Sequence, residues 1–596
     1  MFQTFDTPSR PDQGPPRLAM LREEMAAEGI DATLVPRADR FQGEYVAPHD
    51  DRLAWLTGFT GSAGFCLVTA ADALVFVDGR YRVQVRDQVA EDFTPMDWPA
   101  QTHVGWLAQA FPEGAVLGFD PWLHTMEEIG RLERDLPKIT FRRIDNLIDR
   151  IWADQPAPPA APITAHPLEF AGETHEAKRT RLARDLAAKG EAAALITLPD
   201  SVAWLFNIRG ADIPRNPIAH AFALLRADGT AVLLTDPAKC TEVLDHLGPE
   251  VAVRDEGALA EVLRETGGPV RIDPQSTPQA VADMLAEAGI EARHGADPCR
   301  IPKACKNAGE LQGMREAHLR DAVAMCRFLA WFDRADQTAL SEIDLVRSLE
   351  GFRRDTNMLR EISFDTIAGA GPNGALPHYR VTTDSNRRLT EGALIVLDSG
   401  GQYPDGTTDI TRTLVVGEAG AEEKRAFTLV LKGMIAISRA RFPHGVAGAH
   451  LDALARYPLW LAGMDYDHGT GHGVGAYLCV HEGPQRLARG GDVALQEGMI
   501  LSNEPGYYRE GAFGIRIENL IAVEKAAPVP GGDARDMLAF ETLTWVPIDR
   551  QLVATDMLTA EERAWIDDYH NTCRDKIGPL LPEDCAVWFA AATEKL

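Results

Sequence analysis

The chain has 596 residues, of which 45% are hydrophobic and 25% are charged, and its formal net charge is −28. This length exceeds the roughly 250 to 300 residues at which a single hydrophobic core stops growing, so several domains are expected. The excess of acidic residues repels phosphate backbones and anionic lipids, which argues against nucleic acid and membranes as partners.

No targeting or membrane-spanning segment is expected in this sequence. No apolar run approaches the roughly 20 residues that a membrane helix needs, and residues 1–6 lack the basic-then-apolar order of a signal peptide. The eight cysteines are scattered and include no C-x-x-C motif, as in proteins whose thiols stay reduced. These features predict a cytoplasmic protein.

Two segments are predicted to separate domains. Residues 153–167 contain five prolines and few apolar side chains, which predicts a linker and a boundary near residues 155 to 168. A second boundary is expected near residues 297 to 308, where Asn307 and Glu310 form a typical capped helix start. The helix that begins there should continue to about residue 332.

The two segments before residue 303 follow similar plans. Each begins with a predicted helix and strand, at residues 18–29 and 32–35 in the first segment and at 177–190 and 193–198 in the second. A Trp-Leu pair and further strands follow in both. Such alternation predicts two related α/β domains. The alternative is that any two α/β domains look alike at this level of detail.

The region after the second boundary is predicted to be α+β and to contain a pair of facing strands. The apolar run 393–397 leads into Asp398, and residues 407–416 return as a second strand that contains Asp409. A carboxylate delivered by a buried strand needs a compensating partner, which a metal would supply. The alternative is that both aspartates are turn residues bound by backbone donors.

A second acidic position lies in an alternating octet. Residues 514–521 predict one strand, with Arg516 and Glu518 on one face and Ile515 and Ile517 on the other. This polar face is either a solvated surface with an ion pair or the wall of a cleft. In a cleft, Glu518 would bridge metals and Arg516 would bind a carbonyl or carboxylate of the substrate.

Four histidines are expected near the site. Residues 468–475 contain four glycines, too many for a helix, so His468 and His472 are not the pair of a helical zinc motif. The other two are His378 and His481. Spacing alone does not say which of the four binds metal and which contacts substrate.

The acidic residues and one histidine together suit a dinuclear centre. Glu504 ends a predicted strand directly before Pro505, which restricts Glu504 to extended backbone and so directs its carboxylate. Four carboxylates and one imidazole, without clustered cysteines, are ligands for two hard divalent cations. The candidate ligands are Asp398, Asp409, His472, Glu504 and Glu518. This set predicts metal-assisted hydrolysis.

Four segments together resemble the pita-bread metallopeptidases. They are residues 397–413, 468–484, 503–506 and 514–519. Within that family the chain is similar to Xaa-Pro aminopeptidases of the long, three-domain cytosolic type. The resemblance covers nearly the whole chain and implies an α/β and α+β architecture, with two related N-terminal α/β domains before a pita-bread catalytic domain. The expected ranges are 1–155, 168–303 and 308–540, with a C-terminal extension at 541–596.

The resemblance implies a role for each ligand. Asp398 would bind one metal, Asp409 and Glu518 would bridge both, and His472 and Glu504 would hold the other. Two Mn²⁺ ions are the usual occupants in this family, which agrees with an oxygen-dominated ligand set.

The resemblance also implies a reaction and its partners. A hydroxide that bridges the metals would attack the carbonyl before proline while Glu504 moves a proton to the leaving nitrogen. His378 and His481 would steady the oxyanion or the substrate carbonyl, and His468 and Arg516 would help line the pocket. The expected activity is release of the first amino acid from peptides with proline in second position, by a homodimer.

Three alternatives share this fold. A prolidase cleaves Xaa-Pro dipeptides, a metal-free creatinase cleaves a C–N bond in a small amidine, and a metal-free relative can serve as a binding module. The complete ligand set argues against both metal-free readings, and the length and three domains argue against a prolidase.

Overall fold

The computed structural model describes every residue from 1 to 596, and the chain forms two compact units. One unit is Pro8–Arg300, and the other combines Met1–Thr7 with Ile301–Leu596. All eight cysteines are free thiols, as predicted. None of the helices has both the length and the apolar composition that crossing a bilayer requires.

The first half of the unit Pro8–Arg300 is built on a six-stranded sheet. Its strands are β1 (Ala32–Pro36), β2 (Phe65–Thr69), β3 (Ala73–Val77), β4 (Thr94–Asp97), β5 (Ala115–Phe119) and β6 (Ile139–Arg143). Their spatial order is β4-β3-β2-β1-β5-β6. The pairs β1–β2 and β2–β3 are antiparallel, and the other pairs are parallel.

The second half repeats this plan. Its strands are β7 (Thr164–Ala165), β8 (Ala193–Ile196), β9 (Ile208–Arg209), β10 (Phe222–Arg226), β11 (Ala231–Leu234), β12 (Val251–Arg254), β13 (Val270–Ile272) and β14 (Ala292–His294). Six of them form a sheet of order β12-β11-β10-β8-β13-β14, while β7 pairs with β9. The parallel and antiparallel pairs occupy the same positions as in the first sheet. The predicted repeat is therefore confirmed.

Helices cover both sheets because the central strands carry buried side chains on both faces. The helices of this part are α1 (Gly14–Glu28), α2 (Arg52–Thr57), α3 (Arg82–Gln88), α4 (His103–Ala110), α5 (Met126–Asp135), α6 (Leu147–Ile151), α7 (Leu168–Ala171), α8 (His175–Ala188), α9 (Pro199–Phe206), α10 (Leu244–Leu247), α11 (Leu259–Arg264) and α12 (Gln279–Glu287). In β1, Val35 belongs to one apolar cluster and Leu34 to another. A sheet buried on both faces is typical of the α/β class.

The second unit contains four further sheets. Its strands are β15 (Glu361–Ile362), β16 (Ile367–Ala370), β17 (Leu394–Ser399), β18 (Gly401–Tyr403), β19 (Gly406–Thr407), β20 (Ile410–Val415), β21 (Phe442–Pro443), β22 (Gly471–Gly473), β23 (Glu482–Leu487), β24 (Ile500–Asn503), β25 (Gly506–Arg509), β26 (Phe513–Arg516), β27 (Asn519–Lys525) and β28 (Met537–Thr542). The sheet orders are β15-β18-β19, β16-β17-β20, β21-β28-β27-β24-β22-β23 and β25-β26. This is the α+β arrangement that the sequence predicted.

Seven helices pack around these sheets. They are α13 (Arg300–Ala304), α14 (Ala308–Arg334), α15 (Glu342–Arg354), α16 (Ala421–Ser438), α17 (Gly448–Trp460), α18 (Ala560–Ile577) and α19 (Glu583–Ala592). The predicted start of α14 is confirmed, because Asn307 Oδ1 accepts hydrogen bonds from Gly309 N and Glu310 N at 2.9 and 3.0 Å. Glu310 Oε2 in turn accepts from Asn307 N at 2.9 Å, which completes a capping box.

The largest apolar core of this unit surrounds the strand pair β17–β20. Ile395 and Leu397 of β17 share one buried cluster with Phe328 of α14 and Val430 of α16. Every residue of β17 and β20 is buried. A polar side chain on these strands is therefore delivered to the interior of the unit, where it needs a partner.

Candidate metal centre

Asp398 and Asp409 lie at the same end of the β17–β20 pair. Asp398 is in β17, opposite Thr411 of β20, and Asp409 directly precedes β20. The predicted facing strands are confirmed, and β18 and β19 form a further antiparallel pair between the two aspartates. The backbones of Gly400 and Thr408 approach closely, since a Cβ at Gly400 would lie 1.9 Å from Thr408 O.

Glu518 lies at a crossing between two sheets, and the prediction of one continuous strand through 514–521 is wrong. Strand β26 ends at Arg516, and β27 begins at Asn519 in a different sheet. Between them, Glu518 N donates to Thr411 O at 3.1 Å, which links the crossing to β20. The solvated-surface alternative is also wrong, because Arg516 and Glu518 are both buried.

His472 and Glu504 come from neighbouring strands of the six-stranded sheet. His472 lies in β22, and Glu504 directly follows β24, with Glu504 N donating to Thr470 O at 2.8 Å. His472 Nε2 is 3.4 Å from Glu504 Oε1 and 3.6 Å from Asp409 Oδ2. Its Nδ1 is 3.0 Å from Gly473 O. Donation from Nδ1 to this carbonyl leaves Nε2 as the ligand atom.

The five predicted ligands converge. Asp409, His472 and Glu518 each place one ligand atom within 4.8 Å of the other two. Asp398 joins them through Arg516, whose Nη2 donates to Asp398 Oδ2 at 2.6 Å and whose Nε is 4.0 Å from Glu504 Oε2. The structure thus brings residues from four separate stretches of chain into one cluster.

Three carboxylate oxygens of this cluster are buried without a hydrogen-bond partner. They are Asp398 Oδ1, Asp409 Oδ1 and Glu518 Oε1. Buried polar atoms normally have partners, because leaving one unpaired costs about 1 to 3 kcal/mol. Three such oxygens from different acids, close to the Nε2 atom of His472, fit divalent cations, which accept O and N ligands.

The electrostatics of the cluster agree with this chemistry. Burial raises the pKa of Asp409 well above its ordinary value, and the charges of Glu518 and Asp398 raise it further. Burial, followed by Glu504 and Asp398, does the same to the pKa of Glu518. Burial raises the pKa of Glu504 to about 7, although Arg516 opposes the rise. One guanidinium offsets only part of the charge of four carboxylates, so additional positive charge is needed.

Two of the other predicted histidines, His481 and His468, lie beside the cluster. The His481 ring meets the His472 ring edge-on, with centroids 4.2 Å apart. His468 Nε2 is 2.9 Å from Tyr508 Oη, to which Arg516 Nη1 donates at 2.5 Å. His378 lies three residues after the 3₁₀ turn Gly371–Ala375.

That 3₁₀ turn packs against the strand that carries Arg516. A Cβ added at Gly514 of β26 would lie 1.7 Å from Gly374 O. The loop of His378 therefore runs beside β26, and His378 itself is outside the group of converging ligand atoms.

Sequence reasoning missed several residues that hold the ligands. Thr411 Oγ1 donates to Glu518 Oε2 at 2.8 Å and accepts from Arg516 Nε at 3.2 Å. Ser502 Oγ donates to Glu504 Oε1 at 3.1 Å. Thr411 follows Asp409 by two residues, a spacing that places both side chains on the same face of an extended strand. The sequence contained no comparable pattern that pointed to Tyr508.

A buried arginine connects the C-terminal segment with the crossing at Glu518. Arg412 Nη1 donates to Glu518 O at 2.6 Å, and its Nη2 donates to Val546 O at 2.7 Å and Tyr569 Oη at 3.1 Å. The backbone on which Glu518 sits is therefore fixed in part by residues after 540.

Four family models match the chain. The model of metallopeptidase family M24 matches residues 312–525, and two models of the creatinase/prolidase N-terminal domain match residues 17–151 and 154–310. A model of the C-terminal region of peptidase M24 matches residues 536–596.

Relatives match the chain over its whole length. A protein named "Probable Xaa-Pro aminopeptidase P" from Coccidioides posadasii (strain C735) is 39% identical over 592 residues, which cover 95% of this chain and 91% of the relative. A protein of the same name from Ajellomyces dermatitidis (strain ER-3 / ATCC MYA-2586) is 38% identical, covering 95% and 96%.

A solved structure has the same fold. The X-prolyl aminopeptidase of Caenorhabditis elegans, described as a cytosolic enzyme with a di-nuclear active site, is 34% identical and has a TM-score of 0.93. The match covers 98% of this chain and 100% of that one. The likeness therefore extends over every domain and is not limited to the site.

Titration of the metal-free protein tests the raised pKa of Glu504, which burial causes first and the charge of Asp398 increases. The folded pKa of Glu504 is about 7 against 4.5 for the free side chain, so the folded protein binds this proton more tightly than the unfolded chain. The free energy of unfolding should therefore fall as pH rises from about 4.5 to 7, by about 3 kcal/mol for this group. Urea unfolding of chelator-treated protein at several pH values measures this fall.

The matched variant is Glu504→Gln, which removes the titrating group and keeps the side-chain size. The variant should lose less stability than the wild type over this pH range. If the free energy of unfolding changed with pH by the same amount in both proteins, the assignment of a raised pKa to Glu504 would be contradicted.

Proposed function

This chain belongs to the Xaa-Pro aminopeptidase P family of M24 metallopeptidases, and from that membership we propose that it releases the first amino acid from peptides whose second residue is proline. The proposal rests on the convergence of Asp409, His472 and Glu518, in which Asp409 and Glu518 each have a buried carboxylate oxygen without a hydrogen-bond partner. Metal-assisted hydrolysis is the chemistry that such a cluster supports.

Two divalent ions fit this ligand set, and we propose Mn²⁺. Asp398 would hold one ion, His472 and Glu504 the other, and Asp409 and Glu518 both. The preference for Mn²⁺ rests on four carboxylates against one imidazole, because oxygen ligands favour hard cations. When bound, the ions supply Lewis acidity that polarises the scissile carbonyl and activates water.

The remaining steps belong to side chains of this chain. Glu504, whose Oε1 lies 3.4 Å from His472 Nε2, is placed to accept a proton from water and deliver it to the leaving nitrogen. His481, edge-on to His472 at 4.2 Å, donates to the oxyanion, and His378 supports the substrate carbonyl. His468 and Arg516, joined through Tyr508, line the pocket for proline and the residues after it.

The preference for proline has a physical basis in the substrate. An Xaa-Pro bond has no N–H, so a site that makes no hydrogen bond to that nitrogen loses nothing when proline binds. The same site can exclude longer, flatter residues by shape.

We also propose ranges for the domains and a cytoplasmic location for the protein. We assign the N-terminal α/β domains to residues 1–155 and 168–303, the catalytic domain to 308–540 and its extension to 541–596. Of the first range, Met1–Thr7 belong to the same compact unit as the residues after 300. Support comes from the two six-stranded sheets, which fall within the first two ranges. A cytoplasmic location rests on the C. elegans relative, which is described as cytosolic.

We further propose a homodimer that forms through α17. This helix and the residue that follows it expose four large apolar side chains, Leu454, Tyr457, Trp460 and Leu461. Their spacing of three and four residues places them on one face, while Leu451, Ala455 and Leu459 are buried on the other. A contiguous exposed apolar stripe is typical of an interface, and a second copy can present the same stripe in a two-fold arrangement.

A peptide assay tests the activity. The purified protein with Mn²⁺ should release arginine from Arg-Pro-Pro, a chelator should abolish release, and Mn²⁺ should restore it, because the ligands contribute no hydrolysis without metal. Mass spectrometry of the products measures the cleavage. Cleavage of an Xaa-Pro dipeptide alone would instead identify a prolidase, and cleavage that survives metal removal would refute the metal chemistry.

The role of His481 is tested by His481→Ala. Loss of one oxyanion donor raises the barrier by about 2.7 to 4 kcal/mol, so kcat should fall by roughly 10² to 10³-fold. The variant should still bind two metal ions, because His481 is not a ligand. His444→Ala, at an exposed histidine, is the control. Wild-type turnover in His481→Ala would disprove this role.

The interface is tested by Trp460→Glu. A carboxylate within the apolar stripe should convert the dimer to a monomer in sedimentation velocity. Trp98→Glu is the matched control, since Trp98 and Trp460 are both 43% exposed. A monomeric wild type, or a Trp460→Glu variant that stays dimeric, would contradict the interface.

A further inference from the structure

A second cluster of metal-ligating side chains lies in the unit Pro8–Arg300. Asp39 and Asp50 come from the connection between β1 and α2. His220 is separated from the start of β10 by one residue, Ala221. Each of the three residues places one ligand atom within 4.8 Å of the other two. The cluster therefore joins a loop of the first six-stranded sheet with a loop of the second.

Two members of this cluster are buried with unpaired atoms. Asp39 is 0% exposed and His220 is 5% exposed. Asp39 Oδ2 and His220 Nε2 lie 3.3 Å apart, and neither has a hydrogen-bond partner. An unpaired oxygen beside an unpaired imidazole nitrogen, both buried, is an arrangement that a cation between them would satisfy.

The surrounding contacts aim both atoms into the cluster. Asp39 Oδ1 accepts from Phe41 N at 2.8 Å, which leaves Oδ2 to face His220. The His220 ring stacks on Phe41, with centroids 4.3 Å apart and planes at 26°. His220 N donates to Asp212 Oδ2 at 2.7 Å, which fixes the backbone below the ring. The ligand atoms are held in place by other parts of the fold.

The local charge balance favours a divalent ion. Arg52 Nη1 donates to Asp50 Oδ1 at 3.0 Å, but Arg52 also forms a two-pronged pair with Asp149 at 2.7 and 2.9 Å. Asp149 thus offsets the charge of Arg52. The carboxylates of Asp39 and Asp50 are left with two negative charges, which match one divalent cation.

Two other basic side chains of this region have acidic partners of their own. Lys239 pairs with Asp212, and Arg40 lies 3.4 Å from Glu256. Neither cation is therefore committed to Asp39 or Asp50.

We propose that Asp39, Asp50 and His220 bind one divalent transition-metal ion of the Zn²⁺ class. This ion would link the two α/β halves of the unit. One imidazole with two carboxylates and no thiol suits Zn²⁺ better than Mg²⁺ or Ca²⁺, which prefer oxygen ligands alone. Three protein ligands leave a fourth position for water. The site is structural, because it joins two loops and involves none of the proposed catalytic residues.

The experiment counts metal ions in the full-length protein. After loading with Zn²⁺ and removal of free metal, elemental analysis should find three equivalents per chain in the wild type. His220→Phe should bind two, since phenylalanine keeps the stack on Phe41 but offers no ligand atom. Asp50→Asn should also fall to two. Asp51→Asn, which alters the neighbouring acid paired with Arg37, should keep three.

Two further measurements separate a structural ion from a catalytic one. With Mn²⁺ supplied, His220→Phe and Asp50→Asn should keep kcat within about two-fold of wild type, because the site is not catalytic. Added Zn²⁺ should raise the unfolding temperature of the N-terminal unit in wild type and Asp51→Asn and not in the other two, since an ion that binds only the folded state stabilises it.

The wild-type count decides the proposal even if a variant does not fold. Two equivalents in the wild type, or three in a folded His220→Phe, would overturn it. A third equivalent that persists in every variant would indicate an adventitious surface ion only, and would overturn it equally. A protein that binds three ions without peptidase activity would contradict the proposed function and leave this site intact.

Discussion

The carboxylates of Asp398, Asp409, Glu504 and Glu518 lie close together and repel one another. The contacts of the catalytic unit around them depend on how this repulsion is offset. Arg516 contacts Asp398 and approaches Glu504, and Thr411 donates to Glu518, yet three carboxylate oxygens remain unpaired. Burial first, and then the neighbouring carboxylates, raises the pKa values of Asp409, Glu504 and Glu518 above their ordinary values. Cations that bind these oxygens offset the repulsion.

The centre depends on the packing of two sheets, because neither sheet contains all the ligands. Asp398 and Asp409 belong to the β17–β20 pair, His472 and Glu504 belong to the six-stranded sheet, and Glu518 lies where the chain passes between sheets. Arg412 fixes that crossing to the segment around Val546 and Tyr569. The C-terminal extension thereby influences the geometry of a site to which it adds no ligand.

Local patterns in the sequence were sufficient for the elements and the ligand types. The cap at Asn307 marked the start of α14, and the apolar run before Asp398 marked a buried strand. Alternation failed at residues 514–521, because the chain changes sheets after Arg516, and a period of two cannot reveal a change of hydrogen-bonding partner. The supporting contacts of Thr411 and Tyr508 join residues far apart in sequence, so spacing could not predict them. The roles of the ligands came from family resemblance.

The most direct test of the account is anomalous diffraction from crystals grown with Mn²⁺, measured at the manganese absorption edge. Two peaks are expected within the cluster, one in contact with Asp398 and the other with His472 and Glu504, and Asp409 and Glu518 should contact both. One peak, or peaks that bypass Asp409 and Glu518, would contradict the central claim that two cations neutralise these carboxylates.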